Sequence, residues 1–227
     1  EGENLLTERG QLTKTGVAWR GSCGDWSLQL EGSRATGRRL YKGVTNLRQP
    51  VETTSDIHIE ELDAQLWHPL GDDWAVGGRY LWRTTERDLK TVGTVQGYLE
   101  RYKQTAFAIG LQHTWDLASH GRVQSRIWMG SGLQGNLHVT LPGMDSAVLP
   151  LGRLRWWAAG VQWSGCRKGT TEAGWGCEIA MDYQSERSSR GASQAIYRNG
   201  VLRASASQPA TNQQTLTFKL GANYRFN

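Results

Sequence analysis

Three side chains capable of acid–base or metal-binding chemistry alternate along one stretch of the chain: Asp56, His58 and Glu60. In an extended strand, alternate residues point to the same face, so these three would lie side by side. A carboxylate beside an imidazole can transfer protons or bind a metal ion. The residues that could complete such a site are Glu86, Asp88, His138 and Glu186.

The residues that continue the same face argue against catalysis. Leu62, Ala64 and Leu66 follow His58 at the same spacing, so the imidazole points toward the apolar side of the strand. Zinc-type Cys/His spacings, a Gly-x-Ser-x-Gly elbow and nucleotide-binding glycine motifs do not occur. We therefore predict no catalytic residue, no metal and no cofactor, and we keep an enzyme as the less favoured alternative.

A second group of charged residues lies on the polar faces of other alternating segments. Its members are Glu61, Asp63, Arg79, Arg83, Arg126, Glu178, Asp182, Glu186, Lys219 and Arg225. Both signs are present, and an isolated buried charge costs several kcal/mol, so we expect these side chains to pair inside a narrow interior. The interior would then be filled. A narrow pore whose charges select solutes is the alternative if the strands number ten or more.

The elements that position these residues follow a period of two. The clearest segment runs from Leu216 to Phe226, where apolar and polar residues alternate throughout. The same alternation recurs around Trp74–Trp82, Phe107–Trp115, Trp157–Trp163 and Trp175–Tyr183. Such a pattern predicts strands with one apolar and one polar face.

Aromatic residues mark the ends of the apolar faces. They are Trp74, Trp82, Trp115, Trp157, Trp163, Trp175 and Tyr183. Transmembrane barrels carry aromatic girdles at both membrane interfaces, whereas a soluble sandwich concentrates its aromatic residues in the middle of its core. We therefore interpret these seven residues as membrane-interface aromatics.

The predicted connections alternate in length. Short ones are expected at 68–73, 118–121 and 166–176, and long ones at 35–55, 86–104, 134–151 and 188–213. Asn199-Gly200 predicts a type I′ hairpin inside the last long connection. This alternation favours an all-β, antiparallel, up-and-down transmembrane β-barrel, with short turns at the periplasmic end.

We expect eight strands in this barrel, with ten as the alternative, because an additional strand could lie at 13–20. A bulge in one long first strand is the competing interpretation of that stretch. Residues 1–11 are expected to be a tail or linker, and 12–227 the barrel.

Composition is compatible with this fold and excludes other classes. The 227 residues suit one domain, mean hydropathy is −0.55, and no run of ~18 apolar residues occurs that could form a transmembrane helix. The net charge of +5 suits contact with anionic lipid or polysaccharide. A basic, aromatic-interleaved nucleic-acid motif is absent, so we expect no nucleic-acid partner.

The chain has three cysteines. Cys166 and Cys177 flank a predicted hairpin connection, and a disulfide between them is plausible in an oxidising periplasm. Two unpaired thiols are the alternative, because the bond requires the two Cα atoms to lie within ~7 Å.

The last strand resembles the C-terminal assembly signal of bacterial outer-membrane β-barrel proteins. In that family the final strand alternates apolar residues and ends in an aromatic residue, and Leu220, Tyr224 and Phe226 match this pattern. Asn227 departs from it, because the family usually stops at the aromatic. The resemblance implies insertion by the outer-membrane assembly machinery and implies no chemistry.

These observations predict a non-enzymatic barrel of the bacterial outer membrane that acts as a narrow channel, an export outlet or the membrane anchor of an envelope assembly. Expected partners are outer-membrane lipid and lipopolysaccharide, whose phosphates could contact Arg38, Arg39, Lys42 and Arg48. A periplasmic partner or a preceding domain is also expected, because the chain does not begin with Met. The alternatives are an enzyme acting on lipid A or peptides at the outer rim, and a soluble carbohydrate-binding sandwich.

Overall fold

The computed structural model describes residues 6–44, 49–165 and 174–225, and nearly all of them lie in antiparallel strands. The strands are β1 (Thr7–Cys23), β2 (Trp26–Val44), β3 (Pro50–Pro69), β4 (Trp74–Leu89), β5 (Leu99–Asp116), β6 (Arg122–Thr140), β7 (Ala147–Pro150), β8 (Leu154–Gly165), β9 (Gly174–Ser188), β10 (Gln194–Arg198), β11 (Val201–Ala206) and β12 (Thr211–Arg225).

The main sheet is a meander. Its order is β1-β2-β3-β4-β5-β6-β8-β9-β12, with β7 paired to β6, while β10 and β11 form a separate two-stranded sheet. One turn of 3₁₀-helix spans Ala118–His120, and no α-helix occurs among the described residues. The predicted all-β antiparallel fold is confirmed. A single meander is not the pair of packed sheets that a sandwich would require.

The expected number of eight strands is wrong. Over the described ranges the main sheet has ten strands, nine of them in the meander, because β1 is a strand of its own. It pairs with β2 from Thr7 opposite Lys42 to Cys23 opposite Trp26. Gly24, with a φ of +57°, makes the tight turn between them. The first segment is therefore not one long bulged strand, and β1 includes residues 7–11 of the expected tail.

The strands extend far into the predicted long connections. Residues 35–44 belong to β2 and 50–55 to β3, so little of the expected 35–55 connection remains outside the strands. Likewise, residues 86–89 continue β4, and residues 99–104 begin β5. The hairpin at Asn199-Gly200 is confirmed, since both residues have positive φ (51° and 74°) between β10 and β11.

The sheet curls around a buried core on its concave face. Trp67, Leu81, Trp128 and Trp156 form the centre of this core. A second cluster, centred on Leu137, Leu149 and Ile196, is formed by side chains of β6, β7 and β10. Among the described residues β1 pairs only with β2, and β12 only with β9, so the observed sheet is curled rather than closed.

The sheet has two distinct ends. The lower end carries the turns after β1, β3 and β5. The upper end carries residues 90–98, 141–153 and 189–210. No helix in the described ranges is long and apolar enough to cross a membrane.

Candidate functional site

The concave face carries a set of charged side chains that we call the charged interior. It consists of Lys14, Arg20, Glu31, Glu61, Asp63, Arg79, Arg83, Arg126, Glu178, Asp182, Glu186 and Lys219. Alternation along each strand brings these residues to one face. Acidic and basic members are equal in number, so their charges balance.

Arg83 is the centre of one network. Its guanidinium donates to Glu61 on β3 at 2.9 Å and to Glu186 on β9 at 2.7 Å. Lys14 on β1 donates to the other carboxylate oxygen of Glu61 at 3.0 Å. The three central side chains are 12–13% exposed. The network therefore joins β1, β3, β4 and β9 across the interior.

Arg79 lies four residues before Arg83 on β4, closer to the lower end of the interior. It donates to Asp63 at 2.9 Å, and its guanidinium lies 5.8 and 5.1 Å from the ring centroids of Trp128 and Trp156. Trp67 packs against Trp128 at 4.5 Å between centroids. A cation stacked between aromatic rings and paired with a carboxylate leaves little space for solvent at this level.

A series of hydrogen-bonded side chains crosses the interior nearer the lower end. Arg126 donates to Gln162 at 2.9 Å, and the Gln162 amide donates to Glu178 at 3.0 Å. Glu178 also accepts from Arg20 of β1 at 3.0 Å. The side chain of Arg225, which was predicted to lie with these charges, is outside the described residues.

Ion pairs join the first two strands of the described meander to its last two. Arg20 of β1 reaches Glu178 of β9, and Lys219 of β12 reaches Glu31 of β2 at 3.5 Å. Lys219 also lies 3.3 Å from Asp182. Glu178 crosses the backbone of Gly221, where an added Cβ would lie 3.2 Å from its Cγ. The edges of β1 and β12 therefore face each other.

The predicted aromatics lie on the convex face near its two ends. Trp74, Trp115 and Trp175 are 51, 46 and 70% exposed toward the lower end, where half-buried Trp163 donates to the carbonyl of His120. Toward the upper end, Trp82 is 37% exposed, and Trp157 stacks with Tyr183 at 5.1 Å.

An apolar band covers the convex face between these aromatic residues. Large side chains in it are unusually exposed, including Ile109 (64%), Met129 (67%) and Ile179 (52%). The band continues over β12, where Phe218 and Leu220 are 72 and 84% exposed. Tyr224 shares this face, whereas Phe226 of the predicted assembly signal is outside the described residues.

Asp56, His58 and Glu60 share the convex face above the band, but each side chain already contacts another charged or hydrogen-bonding side chain. Arg38 and Lys90 lie 2.9 and 2.8 Å from Asp56 and lower its pKa. Arg34 donates to His58 at 3.0 Å, and Glu60 is 3.5 Å away.

The structure does not assemble a site around these three residues. Glu86 lies opposite His58 on β4 but pairs with Arg101. Glu186 is on the other face of the sheet, bonded to Arg83. Within the described part of the chain, no three His, Cys, Asp or Glu side chains are placed to hold a metal ion.

The upper rim holds groups that sequence reasoning did not single out. Arg87 donates to Glu100 at 2.7 Å, and Tyr102 donates to the same carboxylate at 2.6 Å. Beside them is a cavity of about 270 Å³ lined by Tyr41, Leu89 and Tyr98, among others. Burial, reinforced by Glu100, raises the pKa of Tyr98 to about 12.

The alternation of residues between the two faces of a strand could have identified the remaining charged residues of the interior. Lys14 and Arg20 share one face of β1, and Glu31 lies on the interior face of β2. Lys14 and Arg20 were missed because β1 was not recognised as a full strand.

Cys177 lies in β9 and is disulfide-bonded, whereas Cys23 is free and exposed. Cys166 is outside the described residues, so its pairing with Cys177 stays a prediction.

Comparisons with known proteins identify no family. No family model matches the chain, and a search of curated proteins finds no significant match.

Proposed function

We propose that this chain is a transmembrane β-barrel of the bacterial outer membrane, with a filled interior, that anchors an envelope assembly and does not conduct solutes. The observation that carries the proposal is the apolar convex face. Monomeric soluble proteins rarely expose contiguous apolar patches larger than a few hundred Å². Here Ile109, Met129, Phe218 and Leu220 are each more than 60% exposed. Such a surface is stable in contact with the acyl chains of lipid.

The dimensions of the band support this proposal. Trp74 and Trp82 lie at opposite ends of the band on β4, eight residues apart. At about 3.3 Å per residue and a tilt of about 40°, they span about 20 Å across a membrane. The apolar band of outer-membrane barrels is about 25 Å tall, between aromatic girdles.

We further propose that β1 and β12 close the barrel. Glu31 lies opposite Ala18, and Glu178 lies opposite Gly221. Their ion pairs with Lys219 and Arg20 support a register in which Lys219 is level with Ala18 and Arg20 with Gly221. On the convex side, this register puts Val17 beside Phe218. These two residues are 80 and 72% exposed, and pairing of the two edges would cover them.

The filled interior favours an anchor over a pore. Trp67, Trp128 and Trp156 are 4–5% exposed on the concave side. Above them, Arg83 is held between Glu61 and Glu186. Paired charges and packed indoles across the interior leave no continuous aqueous path among these side chains.

Assembly and localisation follow from the same proposal. The apolar face of β12, with Leu220 and Tyr224 exposed, fits recognition by the outer-membrane assembly machinery. Outer-membrane lipid, lipopolysaccharide and a periplasmic partner remain the proposed partners.

The test is insertion into lipid vesicles followed by planar-bilayer conductance. We expect heat-modifiable gel migration and protease protection of the strands in vesicles, with no ion-conducting steps. Trp128→Ala/Trp156→Ala should introduce conductance because it empties the interior. Trp115→Ala/Trp175→Ala, on the convex face, should not. A protein that stays in solution without lipid contradicts the barrel, and steady conductance of the unmodified protein contradicts the anchor.

A further inference from the structure

Four arginines lie together at the upper end of β8 and β9, and we call them the arginine cluster: Arg153, Arg155, Arg187 and Arg190. Arg155 and Arg187 are directly opposite each other in the register of β8 and β9. The carbonyl of Arg153 accepts a hydrogen bond from the amide of Ser189, which places Arg153 beside the other strand. All four side chains are exposed.

The cluster has no counter-charge in the described protein. None of its four side chains forms an ion pair with a described carboxylate. The sequences of β6, β8 and β12 contain no Asp or Glu, and the three acids of β9 face the charged interior. Like charges directly opposite each other on a sheet are destabilising, so an external anion would stabilise this arrangement.

Two exposed basic residues of β2 on the convex face differ in this respect. Arg38 pairs with Asp56 and Lys42 with Glu52. Arg39 instead faces Glu8 at 3.5 Å, and Arg48 is outside the described residues. Three of the four residues first expected to contact lipid phosphates are thus already neutralised by carboxylates.

The position of the cluster identifies the kind of anion. Arg155 is two residues above Trp157 on the same face, about 7 Å along the strand. Trp157 stacks with Tyr183, and this pair marks the upper edge of the apolar band. A group bound by the cluster would therefore lie at the level of the lipid headgroups in the proposed membrane position.

We propose that the arginine cluster binds the phosphate groups of lipopolysaccharide in the outer leaflet. Guanidinium groups bind phosphate through two parallel hydrogen bonds, which an ammonium group cannot form. Exposed Asn212 lies opposite Arg187 on β12 and provides a further donor. This inference rests on the proposed outer-membrane location and goes beyond it by assigning a specific lipid contact.

The experiment measures binding of bis-phosphorylated lipid A to the full chain in detergent micelles. We expect Arg155→Gln/Arg187→Gln to raise the Kd at least tenfold. The control Arg38→Gln/Arg101→Gln removes the same charge from ion-paired positions on the convex face and should change the Kd less than twofold. Dephosphorylated lipid A should bind the unmodified protein as weakly as phosphorylated lipid A binds the cluster variant.

Two results would overturn the inference: equal losses in both double variants, or equal binding of the dephosphorylated lipid, which indicates recognition of acyl chains alone. Insertion into vesicles is measured in parallel. If the protein inserts but the cluster variant binds lipid A as tightly as the unmodified protein, only the lipid contact is contradicted. If the protein fails to insert, the membrane proposal itself is contradicted.

Discussion

At the scale of single residues, Arg83 shows how the interior depends on paired charge. It is held between Glu61 and Glu186, so Arg83→Met leaves two carboxylates without their shared partner, and Lys14 remains in an ion pair with Glu61. Breaking a buried pair by removing one partner costs about 3–5 kcal/mol. We expect a loss of this size in the free energy of unfolding, measured by denaturant titration of the protein in lipid vesicles.

The control for this prediction is Arg122→Met. Arg122 pairs with Asp116 at 2.6 Å in the turn at the lower end, where both side chains are more than half exposed. Arg122 lowers the pKa of Asp116, but solvent screens such a pair, so the loss should be much smaller. Equal losses in the two variants would mean that the Arg83 network contributes no more than a surface contact.

The sequence predicts which charged residues share a face but not which of them pair. Period-two alternation assigns Arg83, Glu61 and Glu186 to polar faces. Arg83 and Glu186 are 103 positions apart, and their contact depends on how far the sheet curls. Curvature is a property of the whole meander, so no local pattern encodes this pair.

At the scale of elements, Gly221 allows β12 to approach β1. Its missing side chain leaves the path by which Glu178 reaches Arg20. Gly221→Val would place side-chain atoms in that path, and overpacking of this kind costs about 1–3 kcal/mol. We expect a lower unfolding midpoint and weaker heat-modifiable migration. Gly32→Val is the matched control, because nothing lies within 4 Å of the Cβ that it adds; a similar loss there would contradict the role of Gly221.

Element boundaries were predictable only where one face of a strand is apolar. Trp74–Trp82 was found because its convex side is hydrophobic throughout. Beyond the band both faces are polar, as at Arg38 and Arg39, and the alternation of hydropathy that indicates a strand disappears. The same reason explains why β1 was recognised only around Val17 and Trp19: most of its convex face consists of polar residues.

At the scale of the whole molecule, the proposed closure makes β1 and β12 the exceptional pair. In the part of the chain that the structure describes, the meander has nine strands, so its first and last strands run in the same direction. Their contact would be parallel, whereas every observed pair in the sheet is antiparallel. The ion pairs from β1 to β9 and from β12 to β2 would set the register of the proposed seam, which a cross-linking experiment can measure.

Val17→Cys/Phe218→Cys, made in a Cys23→Ser background, places two thiols at level positions on the convex face. Paired strands lie about 4.8 Å apart, within the Cα separation of about 4.4–6.8 Å that a disulfide requires. We expect efficient cross-linking in lipid vesicles, detected as a reducible shift in gel migration and located by mass spectrometry of proteolytic fragments. Val17→Cys/Ala222→Cys is displaced by four residues, about 13 Å along β12, and should remain reduced. Cross-linking of neither pair would show that the edges stay apart, and preferential cross-linking of the displaced pair would assign a different register to the seam.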